Sequence, residues 1–229
     1  MLRPNTATSY STSSIKKNFT KSEMRLPEKG FIFCCFNNSY KISSNEFNIW
    51  MHLLKRVKGS VLWLMASNKW AENNLCKEAE KNGIKSNRLI FANQLPYSDH
   101  LARCKLGDLF LDTFNYNAHT TASDALWAGM PLVTKIGKGF TARVAASILK
   151  ALDLPELITE SDEEYEALIY EIATSSEKFF KIKKKLLENQ NTKPLFNSKM
   201  FINYLEDGYT KVYENYLDGN KTKTIFINK

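Results

Sequence analysis

The chain lacks the motifs by which many phosphate- and metal-handling proteins declare themselves. It has no Gly-x-x-x-x-Gly-Lys-Ser/Thr loop and no Gly-x-Gly-x-x-Gly turn, so neither of the usual glycine-rich phosphate cradles is available. No Asp-x-Asp pair is present to carry a divalent ion. The four cysteines, Cys34, Cys35, Cys76 and Cys104, show neither paired metal spacing nor the density of a disulfide scaffold, which suits a reducing compartment. No stretch reaches the ~18 uninterrupted apolar residues of a membrane helix, and the first thirty residues lack the apolar centre of a signal peptide. The expectation is a cytoplasmic protein without a membrane partner. No internal repeat is visible.

What is present begins with a surplus of positive charge. Lys and Arg number 32 against 24 Asp and Glu, a formal net charge of +8, which is compatible with an anionic ligand, nucleic acid or plain solubility. Much of the excess falls in the KIKKK run at 181–185 and in the tail GNKTKTIFINK. No aromatic-and-basic stripe accompanies them, so they read as solvated faces, and no nucleic-acid partner is expected. With 43% hydrophobic residues in 229, the chain can bury a sizeable core.

The opening segment, 1–30, is rich in Ser, Thr and Asn without periodicity and reads as a linker or amino-terminal extension. Residues 218–229 read as a basic tail. Between them, 31–36 (FIFCCF), 60–65 (SVLWLM), 88–92 (RLIFA), 108–113 (DLFLDT) and 131–135 (PLVTK) are short apolar runs of the kind shown by strands buried on both faces. Helical patterns alternate with them. One starts at Ser43 or Ser44 and carries Phe47, Trp50, Met51, Leu54 and Val57. Others are closed by Gly83, opened by Ser98, closed by Gly129, and begun at Thr141. Beyond about residue 155 the strand signal fades into helices at 162–174, 176–190 and 198–217, the first opened by a Ser161 capping box. The last carries Phe201, Tyr204, Leu205, Tyr209, Val212, Tyr213 and Tyr216 at helical spacing, a stripe expected to be core or an interface with an absent partner. The alternation predicts an α/β fold over 31–217: a Rossmann-like parallel sheet with helices on both faces, ending in helices. Such sheets bind ligands at the carboxyl ends of their strands.

Three of those ends carry polar segments: NNSYK with Lys41, NQLPYSDHLAR with His100, and TFNYNAHTTASD with His119, Thr120, Thr121 and Asp124. A cation, a helix start with hydroxyls, and a carboxylate one turn into that helix suit a nucleoside diphosphate: dipole and cation for the phosphates, carboxylate for the ribose. Thr120 and Thr121 equally suit plain helix caps, with His119 a satisfied loop histidine, and both readings stay open. His52, within a helix, reads as a bystander. Arg143 reads as structural or as a contact to sugar or phosphate. Cys34 and Cys35 read as packing residues.

Taken in order, FNNSYK, SVLWLM, RLIFANQLP, LDTFNYNAHTTASDALWAGMPLVT, RVAASIL and PLFNSKMFINYLEDGYTKVYENY resemble the carboxyl-terminal lobe of the O-linked N-acetylglucosamine transferase and SPINDLY family. The resemblance runs from about Arg25 to Tyr216. It implies an inverting glycosyltransferase of the two-Rossmann-lobe (GT-B) type, in which this lobe holds a UDP-sugar for O-linked transfer to Ser or Thr of a protein or peptide acceptor. UDP-N-acetylglucosamine is the foremost donor and a fucosyl donor the alternative. The sugar nucleotide is a co-substrate, and no cofactor or metal is implied. Residue by residue, Lys41 matches the lysine that neutralises the diphosphate leaving group, and Asn38 stands where the family commonly has a glutamine. His119, Thr120 and Thr121 match the diphosphate-binding turn and Asp124 the ribose-binding carboxylate. His100 and Arg103 match residues near the uracil, and Leu95 would present backbone groups to the base. Tyr97 stands where the animal enzymes have a lysine near the ribose. The family's amino-terminal lobe and tetratricopeptide repeats have no counterpart here, so a separate lobe or repeat protein is an expected partner. The alternative is a non-catalytic nucleotide-sugar-binding or interaction module from a truncated gene.

Overall fold

A computed structural model describes residues 17–227 of the protein. Six strands form one parallel sheet: β1 (Ile32–Cys35), β2 (Val61–Met65), β3 (Leu89–Ala92), β4 (Leu109–Leu111), β5 (Leu132–Lys135) and β6 (Ile158–Thr159), in the spatial order β3-β2-β1-β4-β5-β6. β1 lies between β2 and β4, pairing Ile32 with Val61 and Phe33 with Leu109. Every residue of β1 and β4 is buried, which is why their sequences are continuous apolar runs and not alternating ones. The sequence predicts five of the six strands. β6 escapes it because two residues, Ile158 and Thr159, are too short to show either alternation or an apolar run; the strand exists through its ladder to Thr134 and Lys135.

Eight helices follow among the described residues: α1 (Ser44–Arg56), α2 (Lys69–Lys81), α3 (Tyr97–Cys104), α4 (Thr120–Trp127), α5 (Val144–Ala151), α6 (Asp162–Thr174), α7 (Ser176–Thr192) and α8 (Ser198–Leu217). The chain moves one way across the sheet from β1 to β3 and the other way from β4 to β6. Right-handed crossovers then put α1 and α2 on one face and α3, α4 and α5 on the other. Contacts agree: α4 touches α3, α5 and α7, while α1 touches α6. The sheet is thus covered on both sides, as a parallel sheet must be. α3 opens one residue before the expected Ser98, with Pro96 at its cap. α5 opens at Val144, after a short 3-10 turn over Phe140–Ala142 that takes up the predicted start at Thr141.

Residues 1–16 of the segment read as a linker lie outside the described residues. From Lys17 on, the segment packs onto the lobe: Leu26 is 5% exposed within the core, and Lys17 Nζ pairs with Asp99 at 2.7 Å. The stripe on α8 is not core. None of its residues is buried, and Tyr209, Val212, Tyr213 and Tyr216 are exposed. The first part of the tail is without regular structure and brings Ile227 beside Gly208 of that helix.

Two buried polar groups hold the sheet to its helices near the carboxyl edge. On one face, Trp50 Nε1 donates to Tyr165 Oη at 3.3 Å, and that hydroxyl donates to the Asp112 carbonyl at 3.0 Å, joining α1, α6 and the end of β4. On the other, Arg103 is 1% exposed, its guanidinium donating to the Asn93 carbonyl and, from Nε at 3.0 Å, to His100 Nδ1. Burial first, then the Arg103 charge, pushes His100 down to about 4, so the imidazole is neutral and accepts. A folded-state value below the ordinary 6.5 means that this contribution to stability is present above pH 6.5 and is lost as pH falls toward 4. At full loss it amounts to about 3 kcal/mol. His100→Gln keeps an acceptor for Arg103 without a titrating group. In urea unfolding, the wild type should lose about 3 kcal/mol more than this variant between pH 6.5 and 4; parallel pH profiles would assign the acid sensitivity elsewhere.

Candidate functional site

The strand order reverses between β1 and β4, and ligands of open parallel sheets lie in the crevice at such a point. A cleft of about 400 Å³ opens there. It is lined by Phe36, Asn37, Asn38, Tyr40, Lys41 and Thr121 near the reversal, and by Met65, Ala66, Ser67, Asn68 and Gln94 from the turns after β2 and β3. Three residues singled out in the sequence, Asn38, Lys41 and Thr121, therefore share one wall-to-wall space.

Each is placed by a local cause. β1 ends at Cys35, and a 3-10 turn over Ser39–Lys41 carries Lys41 back across the sheet edge before Ser43 and Glu46 close a capping box on α1. The Lys41 ammonium reaches the Asn117 carbonyl at 3.2 Å and lies 3.8 Å from the centre of the Tyr116 ring. It is thus anchored to the loop that leads into α4. Asn38 is exposed, with Ser67 Oγ donating to its Oδ1 at 3.3 Å across the cleft.

The start of α4 settles what the adjacent threonines do locally. His119 is the N-cap residue, makes no side-chain cap bond, and the first turn holds no acidic residue. Thr121 is no cap either, since its hydroxyl donates to Asn37 Oδ1 at 2.6 Å. Among the other helices, Asn68, Ser161, Ser175 and Asn197 each accept a backbone N–H as caps. The beginning of α4 is therefore left without a side-chain cap, its positive dipole end facing the crevice. His119 is half-buried, its ring 5.0 Å from that of Tyr116, and Thr120 is exposed.

Asp124, one turn further, is 4% exposed, and the Tyr97 hydroxyl donates to its Oδ1 at 2.9 Å. Tyr97, the departure noted at the position of a lysine, thus touches the very carboxylate that the resemblance gives to the ribose. Leu95 is half-buried between Gln94 and Pro96 in the loop joining β3 to α3. His100 and Arg103 do not line the cleft. They sit beneath that loop, Arg103 holding the Asn93 carbonyl and His100 packing 5.3 Å from the Phe36 ring.

Sequence reasoning missed two residues, Asp112 beneath the cleft and Asn37 in its wall. Asp112, fully buried at the end of β4, accepts from Thr134 Oγ1 and the Ala118 amide, each at 2.6 Å, from the Thr113 amide at 2.9 Å, and from Asn37 Nδ2 at 3.3 Å. Burial pushes its carboxyl up to about 7, against these four bonds, all of which favour the ionised form. Asn37 is the link between that carboxylate and Thr121. The available signal was the carboxylate closing the apolar run DLFLDT, a position where only a fully hydrogen-bonded charge can be buried. Among the described residues, no group of three His, Cys, Asp or Glu could hold a metal ion, and no helix is long and apolar enough to cross a membrane.

The wider resemblances fit this geometry. The chain is 30% identical over 200 residues to the UDP-N-acetylglucosamine–peptide N-acetylglucosaminyltransferase of Caenorhabditis elegans, covering 87% of this chain and 17% of that protein. It is 35% identical over 202 residues to an Arabidopsis thaliana protein described as a probable enzyme of the same name, covering 88% and 21%. The chain thus spans about a fifth of the length of these relatives. A solved Thermobaculum terrenum O-GlcNAc transferase variant superposes with a TM-score of 0.76 at 26% identity, over 81% of this chain and 36% of that one. An Anabaena protein solved with UDP and glucose shares the fold alone, at 15% identity and a TM-score of 0.57, over 86% of this chain and 53% of that one. The model of glycosyl transferase family 41 matches residues 3–205, and with the Rossmann-like lobe and its crevice in place, this chain belongs to that family.

Proposed function

We propose that this chain is the donor-binding lobe of an inverting glycosyltransferase, holding a UDP-sugar, UDP-N-acetylglucosamine foremost, for O-linked transfer to Ser or Thr of a protein. The observation that carries this reading is the shared cleft: Lys41 and Thr121 line one open space at the strand-order reversal, beside a helix start without a side-chain cap. The names of the relatives support the choice of donor and acceptor.

In this reading the diphosphate lies between the Lys41 ammonium and the first turn of α4. Departure of the nucleoside diphosphate builds negative charge on the β-phosphate, and a fixed cation with a helix dipole stabilises that charge more in the transition state than in the bound donor. No metal is required for this. Asp124, steadied by Tyr97, takes the ribose hydroxyls, and the backbone around Leu95 takes the uracil. Asn38 borders the cleft on the side of Lys41. His100 and Arg103 serve the base end from below by fixing the loop that bears Leu95. His119 and Thr120 flank the phosphates.

The acceptor and its general base come, in this reading, from a facing lobe or partner. One exposed aromatic follows each of the first five strands: Tyr40, Trp70, Tyr97, Tyr116 and Phe140. Apolar rings gathered at one edge of a sheet mark a surface that meets another.

Calorimetry of the chain with UDP should give saturable one-to-one binding; its absence up to millimolar nucleotide would sink the donor-cleft reading. Lys41→Ala should weaken UDP binding about ten- to a hundredfold, the size of a lost charge-assisted hydrogen bond of ~1.5–3 kcal/mol. A variant that binds as tightly as the wild type would remove Lys41 from the site. Tyr97→Phe, which deprives Asp124 of a donor, should weaken UDP by about two- to tenfold. Equal affinity in that variant would free the ribose assignment from Tyr97.

A further inference from the structure

The buried polar chain beneath the cleft determines which atoms of Thr121 can meet a ligand. Asp112 is met by four donors: the Thr134 hydroxyl, the amides of Thr113 and Ala118, and the Asn37 side-chain amide. Asp112 Oδ1 already accepts from two backbone amides, which can only donate, so it meets Asn37 as an acceptor and draws the NH₂ end toward itself. The same NH₂ donates to Thr113 Oγ1 at 2.8 Å, and that hydroxyl uses its own proton on the Tyr116 carbonyl at 2.6 Å, so it can only accept from Asn37. Both neighbours therefore select one orientation of the Asn37 amide, with Oδ1 facing Thr121. At 2.6 Å from that oxygen, the Thr121 hydroxyl must be the donor. A hydroxyl has one proton. While this bond stands, Thr121 Oγ1 presents only lone pairs to the cleft, and lone pairs repel an anionic oxygen.

We propose that Asn37, oriented by Asp112, is a positioning residue for the diphosphate end of the cleft: it takes the Thr121 hydroxyl proton, ties the start of α4 to the end of β1, and leaves the backbone amides of that helix start, not the hydroxyl, to meet the phosphates. This rests on the reading of the cleft as a nucleoside-diphosphate site. Thr121 acts through its place in the helix. Asn37 is 2% exposed, and its side-chain amide is engaged by Asp112, Thr113 and Thr121.

The test is a double-mutant cycle on the full chain, with UDP and uridine as probes. Asn37→Leu, of similar volume, and Thr121→Val should each weaken UDP about tenfold, and the double variant should be no weaker than either single one. Uridine affinity should stay within about twofold in all three, because the damage is confined to the phosphate end. Thr121→Ser, which keeps the hydroxyl, should bind UDP as the wild type does. If the two losses multiply to about a hundredfold, or if Thr121→Val weakens UDP while Asn37→Leu does not, the hydroxyl contacts the phosphate directly and the proposal is overturned. Hydrogen exchange without ligand supplies a second arm. In Thr121→Val the amides from Ala118 to Ala122 should exchange faster while those of β1 and β4 keep their rates; unchanged exchange at Ala118–Ala122 also overturns the proposal. A wild type that fails to bind UDP while the exchange result holds would refute the donor-cleft reading and leave the coupling of Asn37 to Thr121 standing.

Discussion

A carboxylate removed from water must have its oxygens met by donors, and Asp112 meets that demand at the point where the sheet reverses its strand order. Its partners come from three separate stretches of chain: Thr134 in β5, Asn37 after β1, and the two ends of the loop from Thr113 to Ala118. No local propensity brings these together. The carboxylate draws the crevice loop into one shape, and the Trp50–Tyr165 pair fastens the Asp112 carbonyl from the opposite face of the sheet. Lys41, in turn, has a firm place to rest because the Asn117 carbonyl is held by that loop. Removing the charge would leave several buried donors facing one another, the kind of defect that a fully satisfied polar network is most sensitive to.

In the proposed reading, this arrangement is a nucleotide site built without glycine-rich signatures. A P-loop wraps phosphates in backbone amides by using glycine to make tight turns. Here the amides belong to the start of an ordinary helix, and the surrounding side chains keep that start clear. Its cap position is held by a histidine that makes no cap bond, and its second threonine is drawn sideways toward Asn37. Four other helix starts are closed by Asn or Ser caps, while those of α3 and α5, at Pro96 and Arg143, have no side-chain cap bond either. The difference between a helix that ends its own backbone chemistry and one that offers it outward is thus a matter of one or two side-chain hydrogen bonds.

Much of this was legible in the amino-acid order. Strands buried on both faces print themselves as unbroken apolar runs, and FIFCCF, SVLWLM and the start of DLFLDT are such runs, whereas RLIFA, equally apolar, is the edge strand and leaves Ile90 and Phe91 half-buried. The three polar segments at strand ends were also visible, and Asn38, Lys41 and Thr121 do line one cleft. What stayed hidden was set by tertiary contact. The two-residue β6 has no pattern of its own and exists only through its neighbour. Asn37 and Asn38 are adjacent in sequence and differ in role only by which way each faces, one buried and one exposed. The resemblance places His100 and Arg103 near the uracil, yet Arg103 has its guanidinium engaged by a backbone carbonyl and an imidazole. The stripe on α8 had the spacing of a core helix, but spacing states only that one face is apolar, not what lies against it.

Because all six strands run in the same direction, the two edges of the sheet have separate duties. The edge away from the crevice receives the helix ends, where Gly59, Gly83 and Gly129 take the left-handed turns that send the chain back into the next strand. Changes there act on folding, since a side chain at those angles strains the backbone. Changes at the opposite edge fall on loops whose shape is fixed by a handful of polar anchors. Such a division lets a lineage alter what the crevice binds in small mutational steps, each leaving the scaffold's instructions intact.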